Sequence, residues 1–91
     1  MFVIISYDIV DDKRRTKVST QLENYGNRVQ YSVFEAILEE EKLNEMYGTV
    51  LPIIKEQEDN LRVYRLCNAC FKKIKIYGTG EISKDEDIYI V

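Results

Sequence analysis

The chain has 91 residues, 45% of them hydrophobic and 32% charged, with a net charge of −3 and no histidine. That is the composition of one ordinary soluble domain, residues 1–91, and no stretch approaches the ~18 uninterrupted apolar residues that span a bilayer. The acidic balance argues against a protein that coats nucleic acid by bulk attraction, and the missing histidine removes the commonest general base, the Ser-His and Cys-His pairs and most zinc sites. Hydrolytic chemistry would have to rest on carboxylates, a hard metal such as Mg²⁺, or arginine and tyrosine. The N-terminus carries no charged leader with a cleavage site, so a cytoplasmic location without a membrane partner is expected.

Phe2–Asp8 opens with four apolar residues and reads as a strand, with Phe2, Ile4, Ser6 and Asp8 on one face and Val3, Ile5 and Tyr7 on the other. Both faces begin apolar, which predicts a central strand. Asp8 is then a turn former at an exposed strand end, or a metal-binding or catalytic carboxylate held by a rigid element.

A helix follows, capped by Asp11 or Asp12 and carrying Val18, Leu22 and Tyr25 as an apolar stripe, with Gly26 placed to stop it in a left-handed conformation. Lys13, Arg14, Arg15 and Lys17 crowd its first turns, where positive charge opposes the helix dipole. Two readings are level on spacing alone: a phosphate site at the helix start, or a solvated turn stabilised by its neighbouring aspartates.

Arg28–Leu38 reads as one long strand with a bulge or bend near Ser32. Glu39–Glu58 reads as a second helix on the stripe Leu43, Met46, Tyr47, Val50, Leu51 and Ile54, kinked or split at Pro52 because proline cannot donate to the carbonyl of Gly48. Leu61–Cys67 is a third strand, Asn68–Lys72 a connector of about one helical turn, and Phe71–Tyr77 a lysine-studded edge strand. A turn at Gly78-Thr79-Gly80, a polar loop and a last short strand at Asp87–Val91 complete the chain. Read directly, the order is β-α-β-α-β-β, an α+β sandwich of one sheet and two helices. Two helices cover one face of such a sheet, and the strands are apolar on both, so a homodimer is expected to cover the other.

Cys67 and Cys70 form one Cys-x-x-Cys with no second pair to complete a four-ligand zinc site. They read as two small, partly buried residues in a reducing compartment. A zinc shared by two copies or a redox pair are the less favoured alternatives.

Tyr7-Asp8-Ile9, the basic stretch through Arg15 and Lys17, Tyr25-Gly26 and the run Arg28–Glu35 together resemble the small CRISPR-associated endonuclease family, the lesser partner of the CRISPR adaptation integrase. The resemblance is most specific over roughly the first forty residues. It implies a ferredoxin-like sandwich, with one antiparallel sheet, two helices on one face, Arg28–Leu38 divided into two strands around Ser32, and a C-terminal strand exchanged in a homodimer. It implies a Mg²⁺-dependent endonuclease (Mn²⁺ as the alternative ion) acting on RNA or double-stranded DNA in spacer acquisition; the alternative is a non-catalytic DNA-binding scaffold of the integrase complex. Carried over by position, Asp8 is the metal ligand and catalytic carboxylate with Tyr7 beside it, Arg15, Lys17 and Arg28 contact phosphate, and Phe34 shapes the site.

Overall fold

The computed structural model describes residues 1–80. Its elements run β1 (Phe2–Asp8), α1 (Asp12–Leu22), β2 (Gly26–Gln30), β3 (Val33–Ile37), α2 (Glu40–Val50), β4 (Asn60–Leu66) and a single turn, α3 (Asn68–Phe71). The strands form one antiparallel sheet in the order β2-β3-β1-β4. The order βαββαβ, with the outer strands joined through helices, is the ferredoxin-like arrangement. Among the described residues no helix is long and apolar enough to cross a membrane.

β1 is central, as its two apolar faces require. Val3, Ile5 and Tyr7 point to the helical side, together with Phe34 and Ala36 of β3, and meet Val18 and Leu22 of α1 and Leu43, Met46 and Val50 of α2. Each wholly buried aliphatic residue stabilises the fold by about 1.5–3 kcal/mol relative to exposure. A basic residue opposing the dipole of α1 costs only about 0.3–1 kcal/mol. Packing therefore decides that α1 is a helix, despite its first turns. Asp11 caps it, its carboxylate accepting the Arg14 N–H at 2.9 Å.

The direct reading differs from this fold at several places, each with a physical cause. Arg28–Leu38 is two strands joined through Tyr31-Ser32, as the family resemblance implied, with a bulge between Arg28 and Gln30. No non-glycine residue among those described has a positive φ. The turn thus avoids the primed geometry, and with it the Asn-Gly signal that marks a hairpin in sequence. Gly26 is not a left-handed helix stop. It opens β2 flat against β3, where a Cβ would lie 2.2 Å from the carbonyl oxygen of Glu35.

Pro52 neither kinks nor splits a long helix. α2 ends at Val50, and residues 51–58 continue as turns, bonded Ile53 N–H to Val50 O and Asp59 N–H to Lys55 O. Without an N–H at position 52 the ladder loses its next rung, and Gly48 does nothing to restore it. Phe71–Tyr77 is not an edge strand: α3 takes its start, and residues 72–77 pair with no strand among those described. The last expected strand, Asp87–Val91, lies outside the described residues.

One buried group ties the ends of three elements together. The Asp59 side chain, fully shielded from solvent, accepts the N–H of Val10 at 3.0 Å, the N–H of Lys55 at 2.9 Å and Nε of Arg14 at 3.0 Å. Arg14 also reaches Glu58 at 2.9 Å. The Arg14 guanidinium first, then the Lys55 and Val10 amides, hold the Asp59 carboxyl far below its ordinary value of 3.8. A carboxyl lowered in the folded state stabilises it above the unfolded value, and that contribution is lost as pH falls through the folded one. Asp59→Asn should therefore lower the thermal midpoint at neutral pH and flatten its decline in acid. Glu40→Gln, which removes the solvent-exposed pair with Arg65, should leave both nearly unchanged. Melting curves above and below pH 3.8 check this; an Asp59→Asn profile parallel to wild type would refute it.

Candidate nucleic-acid interface and catalytic cleft

Strand parity at the end of β1 sends neighbouring residues to opposite faces of the sheet. Asp8 points to the face that bears no α1 or α2, in register with Asn60, and Ser6 lies beside Arg62. With Ser32 and Tyr64 these residues line a cleft of about 390 Å³. The Ser32 carbonyl accepts the Tyr7 N–H at 3.1 Å, which fixes the hairpin tip against the strand end. Among the described residues, no hydrogen bond or ion pair engages the carboxylate of Asp8 or the guanidinium of Arg62. An exposed carboxylate on a rigid strand is thus free to bind a cation, with an unpaired cation on the neighbouring strand of the same cleft.

Of the other sequence-predicted residues, only Tyr7 also borders this cleft. Tyr7, Arg15 and Arg28 line a separate cleft of about 560 Å³ on the helical side, together with Asp12, Thr16, Ser19, Glu23 and Tyr31. Arg15 is largely engaged. Its Nε and one terminal nitrogen donate to the Ile9 carbonyl at 3.1 and 2.8 Å, the same nitrogen reaches Val10 O, and the other pairs with Asp12 at 2.5 Å. A bidentate phosphate contact would need part of that fork released. For Arg14 and Arg15 the basic run is a device that ties down the loop after β1 and the start of α1. Lys17 is exposed on α1 and lines neither cleft.

Arg28 is the better-placed cation. It is exposed on β2, its guanidinium carbon 5.4 Å from the centre of the Phe34 ring. Phe34 is itself completely buried and stacks on Tyr7 with centroids 6.3 Å apart. Phe34 therefore supports Arg28 from beneath, and its ring cannot reach a ligand. Tyr31, at the hairpin tip, is 81% exposed and offers an aromatic face beside Arg28.

Sequence reasoning missed Tyr31, Asn60, Arg62 and Tyr64. Arg62 and Tyr64 are recognisable only once β4 is registered against β1, because their spacing carries no motif. The two cysteines are not partly buried: both thiols are free and exposed. Among the described residues, no three acidic, cysteine or histidine side chains converge as a metal cage.

Burial pushes the Tyr7 phenol above its ordinary 10.0, and the Arg28 guanidinium beside it pulls the other way. The folded state therefore holds this proton more tightly, and the associated stability is full below pH 10.0 and lost as pH rises through the higher folded value. Arg28→Ala should raise the pH at which Tyr7 ionises still further. Tyrosinate absorbance titrations, each corrected by the matching Tyr7→Phe background, would show it; a Tyr7 midpoint that falls would exclude the contact.

A family model described as "CRISPR associated protein Cas2" matches residues 1–74. The CRISPR-associated endoribonuclease Cas2 3 of Chloroflexus aurantiacus is 46% identical over 91 residues, covering 100% of this chain and 98% of that protein. The CRISPR-associated endonuclease Cas2 of Halalkalibacterium halodurans is 39% identical over 83 residues, 86% of each. A chain in a solved structure described as a partial Cas6-RT-Cas1--Cas2 complex superposes with a TM-score of 0.72 at 34% identity, covering 82% of this chain and 88% of that one.

Proposed function

The chain belongs to the CRISPR-associated protein Cas2 family, and from that membership we propose that it is an endonuclease of CRISPR immunity that hydrolyses phosphodiesters and takes part in spacer acquisition beside an integrase subunit. The observation that carries this reading is the unpaired Asp8 carboxylate at the end of β1, facing the same cleft as Arg62. Relatives named for endoribonuclease and for endonuclease activity both resemble the chain, so RNA and double-stranded DNA are both substrates to test. A cytoplasmic site of action follows from this role.

The donors around Asp8 fit a divalent ion in kind, with a single carboxylate among them. Asp8, Asn60, Ser6 and Ser32 offer hard oxygens, which suit Mg²⁺ or Mn²⁺. One carboxylate per chain is sparse, and a homodimer apposing two open faces would bring a second Asp8. Ile4, Val33, Ile37 and Leu66 are only partly covered on that face, and Tyr64 is 48% exposed, which supports such a pairing. Asp8 would hold the ion, which when bound makes a water nucleophilic near neutral pH and polarises the phosphoryl oxygen. The chain's own groups do the rest. Arg62 neutralises the scissile phosphate; Arg28, backed by Phe34, holds a flanking phosphate on the helical side, and Lys17, outside both clefts, adds only surface charge. Tyr7 is a positioning residue: its ring packs on the opposite face from Asp8 and fixes the strand end.

The second reading is a non-catalytic scaffold that holds duplex DNA for the integrase, favoured by the likeness to a chain from a Cas1–Cas2 assembly. Asp8→Asn separates the two, since it keeps the side chain's shape and removes its charge. On the nuclease reading it abolishes metal-dependent cleavage while sedimentation still shows a dimer with unchanged nucleic-acid affinity. Spacer acquisition that survives the same change assigns the scaffold role. Cleavage by Asp8→Asn at the wild-type rate would remove Asp8 from the chemistry, and a stable monomer at micromolar concentration would remove the shared site. Arg28→Ala should flatten the salt dependence of binding by about one unit, and Arg15→Ala by less, because its fork is already occupied.

A further inference from the structure

Exposed free thiols are uncommon on a small domain, and this chain has two, one helical turn apart. Cys67 caps α3, and its Sγ accepts the backbone N–H of Cys70 at 3.4 Å. Cys70 occupies the third position of that turn, which places its side chain one turn from Cys67. This spacing is that of an N-cap and its reciprocal partner, and a separation of one turn falls within the ~4.4–6.8 Å Cα range that a disulfide bridges. The two thiols are not equivalent. Cys67, with Met1, Arg65, Leu66 and Asn68, lines a shallow depression of about 510 Å³ in which Cys70 takes no part. None of these residues belongs to either cleft described above.

We propose that Cys67 and Cys70 form a thiol–disulfide exchange site for low-molecular-weight disulfides, with Cys67 the attacking sulfur and Cys70 the resolving one. The Cys67 thiolate bonds to one sulfur of the small disulfide, whose S–S bond breaks; the displaced thiolate leaves and takes up a proton. Cys70 then gives up its proton and attacks Cys67 Sγ, expelling the second small thiol. Two electrons pass from the dithiol to the small disulfide, giving one intrachain disulfide and two small thiols. The asymmetry favours this direction: the Cys70 amide and thiol hold the Cys67 thiol below its ordinary range, and the same contact pushes Cys70 up.

Oxidised glutathione added to the purified full-length chain tests the site. Intact mass should show the wild type losing two hydrogen atoms to an intrachain disulfide, with the mixed disulfide only transient. Cys70→Ser should trap a stable glutathione adduct on Cys67. Cys67→Ser should react severalfold more slowly. Both side chains are exposed, so the serine variants are expected to fold, and the wild-type mass stands without them. Wild-type protein that keeps both thiols free, that stops at a stable adduct, or that forms a disulfide between two chains would overturn the proposal. So would faster modification of Cys67→Ser than of Cys70→Ser. Nuclease activity takes no part in any of these measurements, so they stand apart from the proposed function.

Discussion

The burial of Asp59 is the constraint on which the placement of the functional end depends. A carboxylate shielded from water must find full compensation or lose its charge. Here the amides of Val10 and Lys55 and the guanidinium of Arg14 provide it. Those groups belong to the loop leaving β1, the turns after α2 and the first turn of α1. Satisfying one charge therefore fixes the exit of β1, the entry of α1 and the approach to β4 at once. Arg15 reinforces the same corner by bonding the carbonyls of Ile9 and Val10. Asp8 projects from a strand end clamped on its C-terminal side, so an exposed carboxylate can still be held in one place.

With that end fixed, strand parity divides the chemistry. Asp8 and Ser6 take the open face; Tyr7 takes the helical one and joins Phe34 and Arg28. Residues adjacent in sequence, which the family resemblance groups into one site, thus send their side chains to opposite sides of a single sheet, with Tyr7 bordering both clefts. A nucleic acid that touched both would have to pass around the edge or the end of the sheet. The exposed hairpin tip at Tyr31 lies on the helical-side route and Ser32 on the other. The short β2–β3 connection therefore borders both surfaces.

What was legible in the sequence, and what was not, follows from the range of the forces involved. β1, α1 and β4 were readable because each is set by a local pattern of apolar residues and, for α1, by a cap three residues from its partner. The break near Ser32 was readable from the length of the run, but its full reversal into a hairpin was not, because Tyr31-Ser32 turns without the Asn-Gly type of signal that announces one. The end of α2 was misjudged because the apolar stripe continues past Pro52: Ile53 and Ile54 still pack on the core, from turns rather than from a helix. The roles of Arg14 and Arg62 depend on partners or neighbours far off in sequence; Asp59 lies 45 residues from Arg14. Asp8 could be singled out, since a charge at the end of an apolar strand is a local anomaly. Its cleft could not, because two strands distant in sequence and a hairpin turn must be assembled before its walls exist.

The open face and the sparse metal site are two consequences of one missing layer. α1 and α2 pack together on one side of the sheet, and no described element except α3 covers the other, where Phe71 shields Phe2 with ring centroids 4.8 Å apart. The apolar residues left half-exposed there lie toward the Phe2 end and middle of β1, while Asp8 stands at its far end. A closed two-fold contact is self-complementary, so any residue near its axis meets its own copy. Burying the apolar rows of two such sheets against one another would supply the driving force of association, and an axis near the β1 terminus would place the two Asp8 carboxylates together. Two like charges so placed repel unless a cation lies between them. Under the proposed function, cation affinity and dimerisation would then be linked, each strengthening the other at a site that neither chain completes by itself.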